Sequence, residues 1–386
     1  MADKRRKKMK LGILSDTHGD KQKATRHIIE IFKRYGVEII IHCGDISKNH
    51  VNKKLFGNLP VFCALTDEQT QLCQSEKKTK DRNNIPFCSP PNNWTFTHPN
   101  ERIVDLRKLK EKTRVYVGHK RSFELLRGSE AKLKETLDEI RKEYDNVRYM
   151  FSGHTHHQIC LKYRLITFIN PGAIENPMGI AGGCGYAIID TEKEEIIYSR
   201  IPMCQSIAPE LKVAIISDSA DISKKDPTFW EKLRNLFLER NVTDIIHCGN
   251  INLDDIGISE LDKFQVHYSL IQRQIQTQTF KNWHKIEDKI TPIKGYGFFV
   301  HWDLGSDLIS KSEFDMNCLA RQIQREHSQV KFILSGFTHD AFYEEDINVI
   351  FLNPGDIIQG RNYAIIEMPK YEITLGRIPY DPLPDL

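Results

Sequence analysis

Met9-Lys10-Leu11-Gly12-Ile13-Leu14-Ser15-Asp16-Thr17-His18 runs an apolar segment straight into two potential metal ligands. The phrase returns as Leu211-Lys212-Val213-Ala214-Ile215-Ile216-Ser217-Asp218-Ser219-Ala220. Three further segments recur in the same order. His42-Cys43-Gly44-Asp45 becomes His247-Cys248-Gly249-Asn250, and Ser152-Gly153-His154-Thr155-His156 becomes Ser335-Gly336-Phe337-Thr338-His339. Asn170-Pro171-Gly172 becomes Asn353-Pro354-Gly355. The closing stretches also agree, Tyr186-Ala187-Ile188-Ile189-Asp190 against Tyr363-Ala364-Ile365-Ile366-Glu367. A repeat of this length describes two copies of one fold rather than a solenoid. The thinning of Asp and His in the second copy implies that it kept the fold and lost a metal site.

A chain of 386 residues is long for one hydrophobic core, which independently points to two domains. The expected boundaries are a basic tail at 1–8, a first domain at 9–202, a linker at 203–210 and a second domain at 211–386. The tail (Lys4, Arg5, Arg6, Lys7, Lys8, then Lys10) carries more than the whole net charge of +3. It lacks the apolar stretch of a secretory signal and reads as a solvated end. The remainder is slightly acidic, which argues against a nucleic-acid groove. No apolar run approaches the ~20 residues of a membrane span. The 9 cysteines are scattered singly, which suits a reduced, cytoplasmic protein.

Apolar runs of strand length, rich in β-branched residues, alternate with helical spacing at Ala24–Tyr35, Ser129–Tyr144 and Pro227–Arg240. Strands alternating with helices early, and strands following strands late, predict a mixed α/β domain with helices covering sheets. Residues 69–99 contain Pro86, Pro90, Pro91 and Pro99 and have no counterpart of equal length in the second copy. They are predicted to form a polar surface insertion, a candidate lid over a site.

In the first copy Asp16, His18, Asp45, His119, His154 and His156 each follow an apolar strand. Strand C-terminal ends are where open α/β sheets form their crevices. Imidazoles with carboxylates suit borderline divalent ions, and two such ions bridged by a carboxylate and a hydroxide favour in-line attack on phosphorus.

This series of segments resembles the calcineurin-like metallophosphoesterase superfamily, in particular its small bacterial and archaeal phosphodiesterase branch. The non-catalytic retromer subunit of the same fold belongs to that branch too. The resemblance implies tandem α/β domains, each a four-layer αββα sandwich of two mixed β-sheets flanked by helices. It makes Asp16, His18, Asp45 and His156 the ligands of one metal. Asp45 would bridge to a second metal held by His119 and His154. Two ions per chain are expected, with Mn foremost and Ni, Fe, Co or Zn as alternatives. The catalytic set would be Asp45, His119, His154 and Arg121, which stands where the family has a His.

The departures are specific. The Asn that completes the second metal in the family aligns with Leu65, which cannot ligate; Asp67 or a water could supply the oxygen instead. The second copy keeps Asp218, His301 and His339 but has Ala220, Asn250 and Phe337 in place of His18, Asp45 and His154, and Leu270 at the Asn position. Two functions remain open. One is a phosphodiesterase or phosphatase with a working first half, a phosphoester substrate, and a second half packed on the first as in a pseudo-dimer. The alternative is a scaffold with this fold and a protein partner.

Overall fold

The computed structural model describes residues 9–18, 22–47, 51, 53–76, 93–97, 103–105, 114–119, 130–144, 147–179, 182–201, 209–220, 222–269, 280–286, 290–301, 313–336, 340–345 and 349–378. The tail, residues 203–208 of the linker, Arg121, Leu270, Phe337 and His339 lie outside them. The chain divides into two compact units, residues 1–192 with 196–204, and residues 193–195 with 205–386.

In the first unit, one sheet is built on four parallel strands: β1 (Lys10–Leu14), β2 (Ile39–His42), β3 (Val61–Ala64) and β4 (Trp94–Thr97). Against β1 lies the antiparallel β10 (Cys184–Asp190), with β11 (Glu195–Ile201) beyond it. The second sheet runs in the order β8 (Gln158–Tyr163), β9 (Ile166–Pro171), β7 (Val147–Ser152), β6 (Arg114–Gly118) and β5 (Ile103–Asp105). Its three inner strands are parallel and its two edges antiparallel. The Tyr198 hydroxyl donates to the Ile159 carbonyl (2.8 Å), and Gln158 Nε2 donates to the Ser199 carbonyl (2.9 Å). These bonds tie the two sheets together through polar groups that burial would otherwise leave unpaired.

Helices cover the outer faces. Helix α1 (Gln22–Tyr35) buries Thr25, Ile28, Ile29 and Phe32, a stripe at helical spacing. That stripe meets Leu14, Ile40, Val61 and Ile188 of the sheet. Each large apolar side chain so buried contributes about 1.5–3 kcal/mol. The helix stops where Gly36 turns left-handed (φ 72°) and the Val37 N–H reaches back to the Phe32 carbonyl (2.9 Å). After the short α2 (Lys53–Phe56) and α3 (Asp67–Glu76), α4 (Glu130–Glu143) buries Leu137 and Ile140.

The second unit repeats this order. β12 (Leu211–Ile216), β13 (Asp244–His247), β14 (Gln265–Tyr268) and β15 (Trp283–Lys285) are parallel, with β21 (Asn362–Met368) antiparallel to β12 and β22 (Glu372–Arg377) beyond. Its other sheet is β19 (Phe342–Glu345), β20 (Ile350–Asn353), β18 (Val330–Ser335), β17 (Tyr296–His301) and β16 (Ile290–Ile293). Helices α5 (Phe229–Glu239) and α6 (Glu313–Glu326) take the places of α1 and α4 in chain order. No described helix is long and apolar enough to cross a membrane.

One expectation needs correction. Residues 69–99 are not simply a surface insertion: α3 occupies part of them, and β4 is the edge strand of the first sheet, paired with β3. Trp94 is the reason. It is buried, and its ring meets Phe56 edge-on at 4.8 Å. Trp283 does the same service in the second unit, against Tyr268 and Phe280. The rest of the candidate lid, residues 77–92 and 98–99, lies outside the described residues.

Candidate metal centre

The ligand residues occupy the loops at the C-terminal ends of the parallel strands, where the backbone turns sharply. Asp16, Asp45, His154 and His156 all have positive φ, at 53°, 52°, 78° and 64°. Non-glycine residues rarely adopt this region, and clusters of them mark sites held by their surroundings. Here the surroundings are visible. The Asp16 N–H donates to the Gly44 carbonyl (3.1 Å), joining the first two loops. His42 braces the same pair: its Nδ1 accepts the Gly44 N–H (3.2 Å), so its Nε2–H donates to Thr17 Oγ1 (2.9 Å).

Asp16 is the centre of the arrangement. It is 1% exposed, and its Oδ2 accepts the backbone N–H of His154 (3.0 Å). Its Oδ1 makes no hydrogen bond, although it is buried. His156 Nε2 lies 3.5 Å and His119 Nε2 3.9 Å from that oxygen. Burial pushes the Asp16 carboxyl up, but the combined pull of His156 and His119 outweighs it and carries the pKa down to about 2. The carboxylate is therefore ionised at neutral pH, with one oxygen reserved.

Both histidines are presented by their other nitrogen. His119 Nδ1 is 3.0 Å from the Cys43 carbonyl, and His156 Nδ1 is 2.8 Å from the Asn176 carbonyl. A carbonyl only accepts, so each Nδ1 carries a proton and each Nε2 faces the site. This is how metal-ligating imidazoles are commonly oriented. The adjacent Asp16 carboxylate raises the pKa of His156, whereas partial withdrawal from water and the neighbouring His119 lower that of His154.

Two sets of donors converge. Asp16, His18 and His156 offer ligand atoms within 4.8 Å of one another, and so do Asp16, Asp45 and His119. His18 Nε2 and Asp45 Oδ2 are 3.5 Å apart, which links the sets from the other side. An unbonded buried carboxylate oxygen amid imidazole nitrogens fits divalent transition ions. The residue common to both sets is Asp16, whereas the resemblance would give that place to Asp45. Asp16 is buried between the loops, while the Asp45 side chain is 38% exposed. The ring of His154 belongs to neither set; it stands exposed, edge-on to His119 at 5.1 Å. Leu65 is 3% exposed and packs in the core with Val61, Cys63 and Trp94. Asp67 opens α3 and joins neither set.

Sequence reading assigned no role to His42, Asn170 or Asn176. The signal for the first two was the repeat itself. In the second unit, His247 bonds Ser219 (2.7 Å) and Gly249 (3.2 Å), and Asn353 bonds Gly336 and Gly355, as Asn170 bonds Gly153 and Gly172. These residues, present in both units with equivalent partners, are the frame of the loops. In the second unit both oxygens of the corresponding aspartate are hydrogen-bonded. Asn250 Nδ2 donates to Asp218 Oδ1 (3.3 Å), and the Ser217 hydroxyl donates to Asp218 Oδ2 (2.6 Å). Among the described residues, the second unit assembles no metal-sized donor set.

Close approach of the loops dictates Gly153. A Cβ there would lie 1.8 Å from Ser15 Oγ and 2.8 Å from Asp16 Oδ2. Gly153→Ala should therefore cost about 1–3 kcal/mol of stability. Urea unfolding tests this, and a second change, Ser15→Gly, should recover part of the loss.

A sequence profile of the calcineurin-like phosphoesterase superfamily domain matches residues 9–194 and again residues 211–372. Phosphodiesterase MJ0936 of Methanocaldococcus jannaschii is 29% identical over 197 residues, which are 48% of this chain and 96% of that protein. Among solved structures, the Escherichia coli phosphoesterase Yfce aligns at 20% identity and TM-score 0.31, covering 50% of this chain and 93% of its own. Vps29 of Entamoeba histolytica, solved with zinc, aligns at 18% identity and TM-score 0.30, covering 43% of this chain and 90% of its own. With the profile matched twice over most of its length, this chain belongs to the calcineurin-like phosphoesterase superfamily.

Proposed function

We propose that the chain is a metal-dependent phosphodiesterase or phosphatase whose working centre is in residues 9–202, with residues 211–386 a non-catalytic counterpart joined through 203–210. The observation that carries this reading is Asp16 Oδ1, buried, ionised and unbonded between two imidazoles whose Nε2 atoms face it. Asp16, His18 and His156 would hold one divalent ion, and Asp16, Asp45 and His119 the other. Mn is the first candidate, with Ni, Fe, Co and Zn after it. Such ions, when bound, supply Lewis acidity and lower the pKa of water. The chain's own residues supply the rest. The buried Asp16 excludes solvent from beneath the centre, and Nδ1 bonds to Cys43 and Asn176 keep His119 and His156 in one tautomer. The exposed His154 ring and Arg121 are proposed to meet the phosphoester oxygens.

For the second half, the proposal rests on its neutral Asn250 and on the hydrogen bonds that occupy both oxygens of Asp218. Its role is to pack as a partner subunit would. A cytoplasmic location is proposed from the free, buried thiols of Cys43, Cys63, Cys160 and Cys248. One observation favours the rival scaffold reading: Leu65 puts a core side chain where a ligand is expected.

Hydrolysis of bis-p-nitrophenyl phosphate with added Mn²⁺ or Ni²⁺ separates the two. Metal-dependent turnover that falls about 100-fold in Asp45→Asn supports the enzyme, the size reflecting loss of a ligand to one ion. Turnover no greater than that of Asp45→Asn with any metal supports the scaffold.

A further inference from the structure

β3 ends at Ala64, and the chain then does something the ligand pattern does not require. The Leu65 N–H continues the sheet by donating to the Thr97 carbonyl (3.0 Å), and its side chain enters the core. Thr66 caps α3. Its hydroxyl accepts the Gln69 N–H (3.2 Å), and the Gln69 Oε1 accepts the Thr66 N–H (3.0 Å). This reciprocal capping box uses the acceptor end of the Gln69 amide. The donor end is used elsewhere: Gln69 Nε2 donates to the Ile46 carbonyl at 2.7 Å, across 23 positions of sequence. Gln69 is 9% exposed and Ile46 1%.

Ile46 follows Asp45, whose backbone is left-handed (φ 52°) and whose side chain is only partly buried. On the near side, the Asp45 loop is held by His42 and by the Asp16 N–H to the Gly44 carbonyl. On the far side, Gln69 grips the next carbonyl. In a centre with an Asn ligand after β3, the metal itself would tie that strand end to Asp45. Leu65 cannot do so.

We propose that Gln69 is a positioning residue for Asp45, tying the end of β3 to the Asp45 loop by a hydrogen bond in place of a shared metal. This rests on the reading of Asp45 as a ligand. The tie needs an amide: the acceptor serves the helix cap and the donor serves the loop. A glutamate at 69 would keep the cap and lose the donor, while leucine would lose both. Removing the Thr66 hydroxyl weakens the cap and leaves the tie.

The test is Mn²⁺ titration followed by electron paramagnetic resonance, which distinguishes a lone ion from an exchange-coupled pair. Gln69→Glu and Gln69→Leu should each weaken uptake of the second Mn²⁺ by about 10–100-fold, the range found for residues that orient metal ligands. Thr66→Ala should leave it within about 2-fold of wild type, although it loses a cap. Hydrogen exchange of the peptide spanning residues 43–47, measured without metal, should speed up in both Gln69 variants and not in Thr66→Ala. If the Gln69 variants form the coupled pair as wild type does, or if Thr66→Ala weakens it equally, the positioning role is wrong and the metal centre stands. If wild type itself takes up no Mn²⁺, the proposed function falls and this inference falls with it.

Discussion

Asp16→Asn is expected to abolish both metal uptake and phosphoester hydrolysis, with Mn²⁺ per chain falling below about a tenth of wild type and turnover falling by about 10³-fold or to background. Asp16 is the one residue common to both donor sets. Its Oδ1 is the buried acceptor that nothing else in the described structure satisfies. An amide there is neutral, and its NH₂ can donate to the imidazoles that now face it. The second unit shows where such a change leads, for Asn250 donates to Asp218 and the carboxylate has no oxygen to spare. Metal analysis by mass spectrometry, with circular dichroism to confirm folding, makes the comparison. A folded Asp16→Asn protein that still holds two ions would mean that Asp45 is the shared carboxylate after all.

The second large effect is on stability and concerns pH. Burial drives the pKa of His247 down to about 4, outweighing the pull of Asp218 in the other direction. The unfolded chain binds the proton near pH 6.5 and the folded chain does not, so folding is favoured fully above that value. Stability is then lost as pH falls from about 6.5 towards about 4, by about 3 kcal/mol in all, since each pKa unit is worth about 1.4 kcal/mol. Glutamine at this position can accept the Gly249 N–H and donate to Ser219, as His247 now does. Urea unfolding of wild type and His247→Gln between pH 8 and pH 4.5 should give curves that diverge on acidification. The variant should lose less. Parallel curves would show that His247 is not the group responsible.

Much of this molecule was legible before any coordinates. The strand-end motifs, their order and their repetition determined a pair of α/β units with the same topology, because apolar runs of strand length have few other places to go. They also named the ligand types, and they showed which copy had lost them. The buried position of Leu65 was foreseeable too, as a leucine after an apolar strand. What the sequence alone left undecided are relations between groups far apart in the chain. Asp16 is common to both donor sets because it lies beneath the loops, while Asp45 lies at their rim. Proton positions on His119 and His156 depend on the carbonyls of Cys43 and Asn176, which only folding brings within 3.0 and 2.8 Å. Trp94 reads as part of a polar insertion until Phe56 is found against its ring. Gln69 reads as the start of a polar insertion until Ile46 arrives at its amide. Composition and order determine which chemistry is possible, since side-chain types and strand periodicity are local properties. Tertiary structure decides which atoms perform it, since hydrogen bonds and ligand sets form over a few ångströms between residues that the chain itself keeps apart.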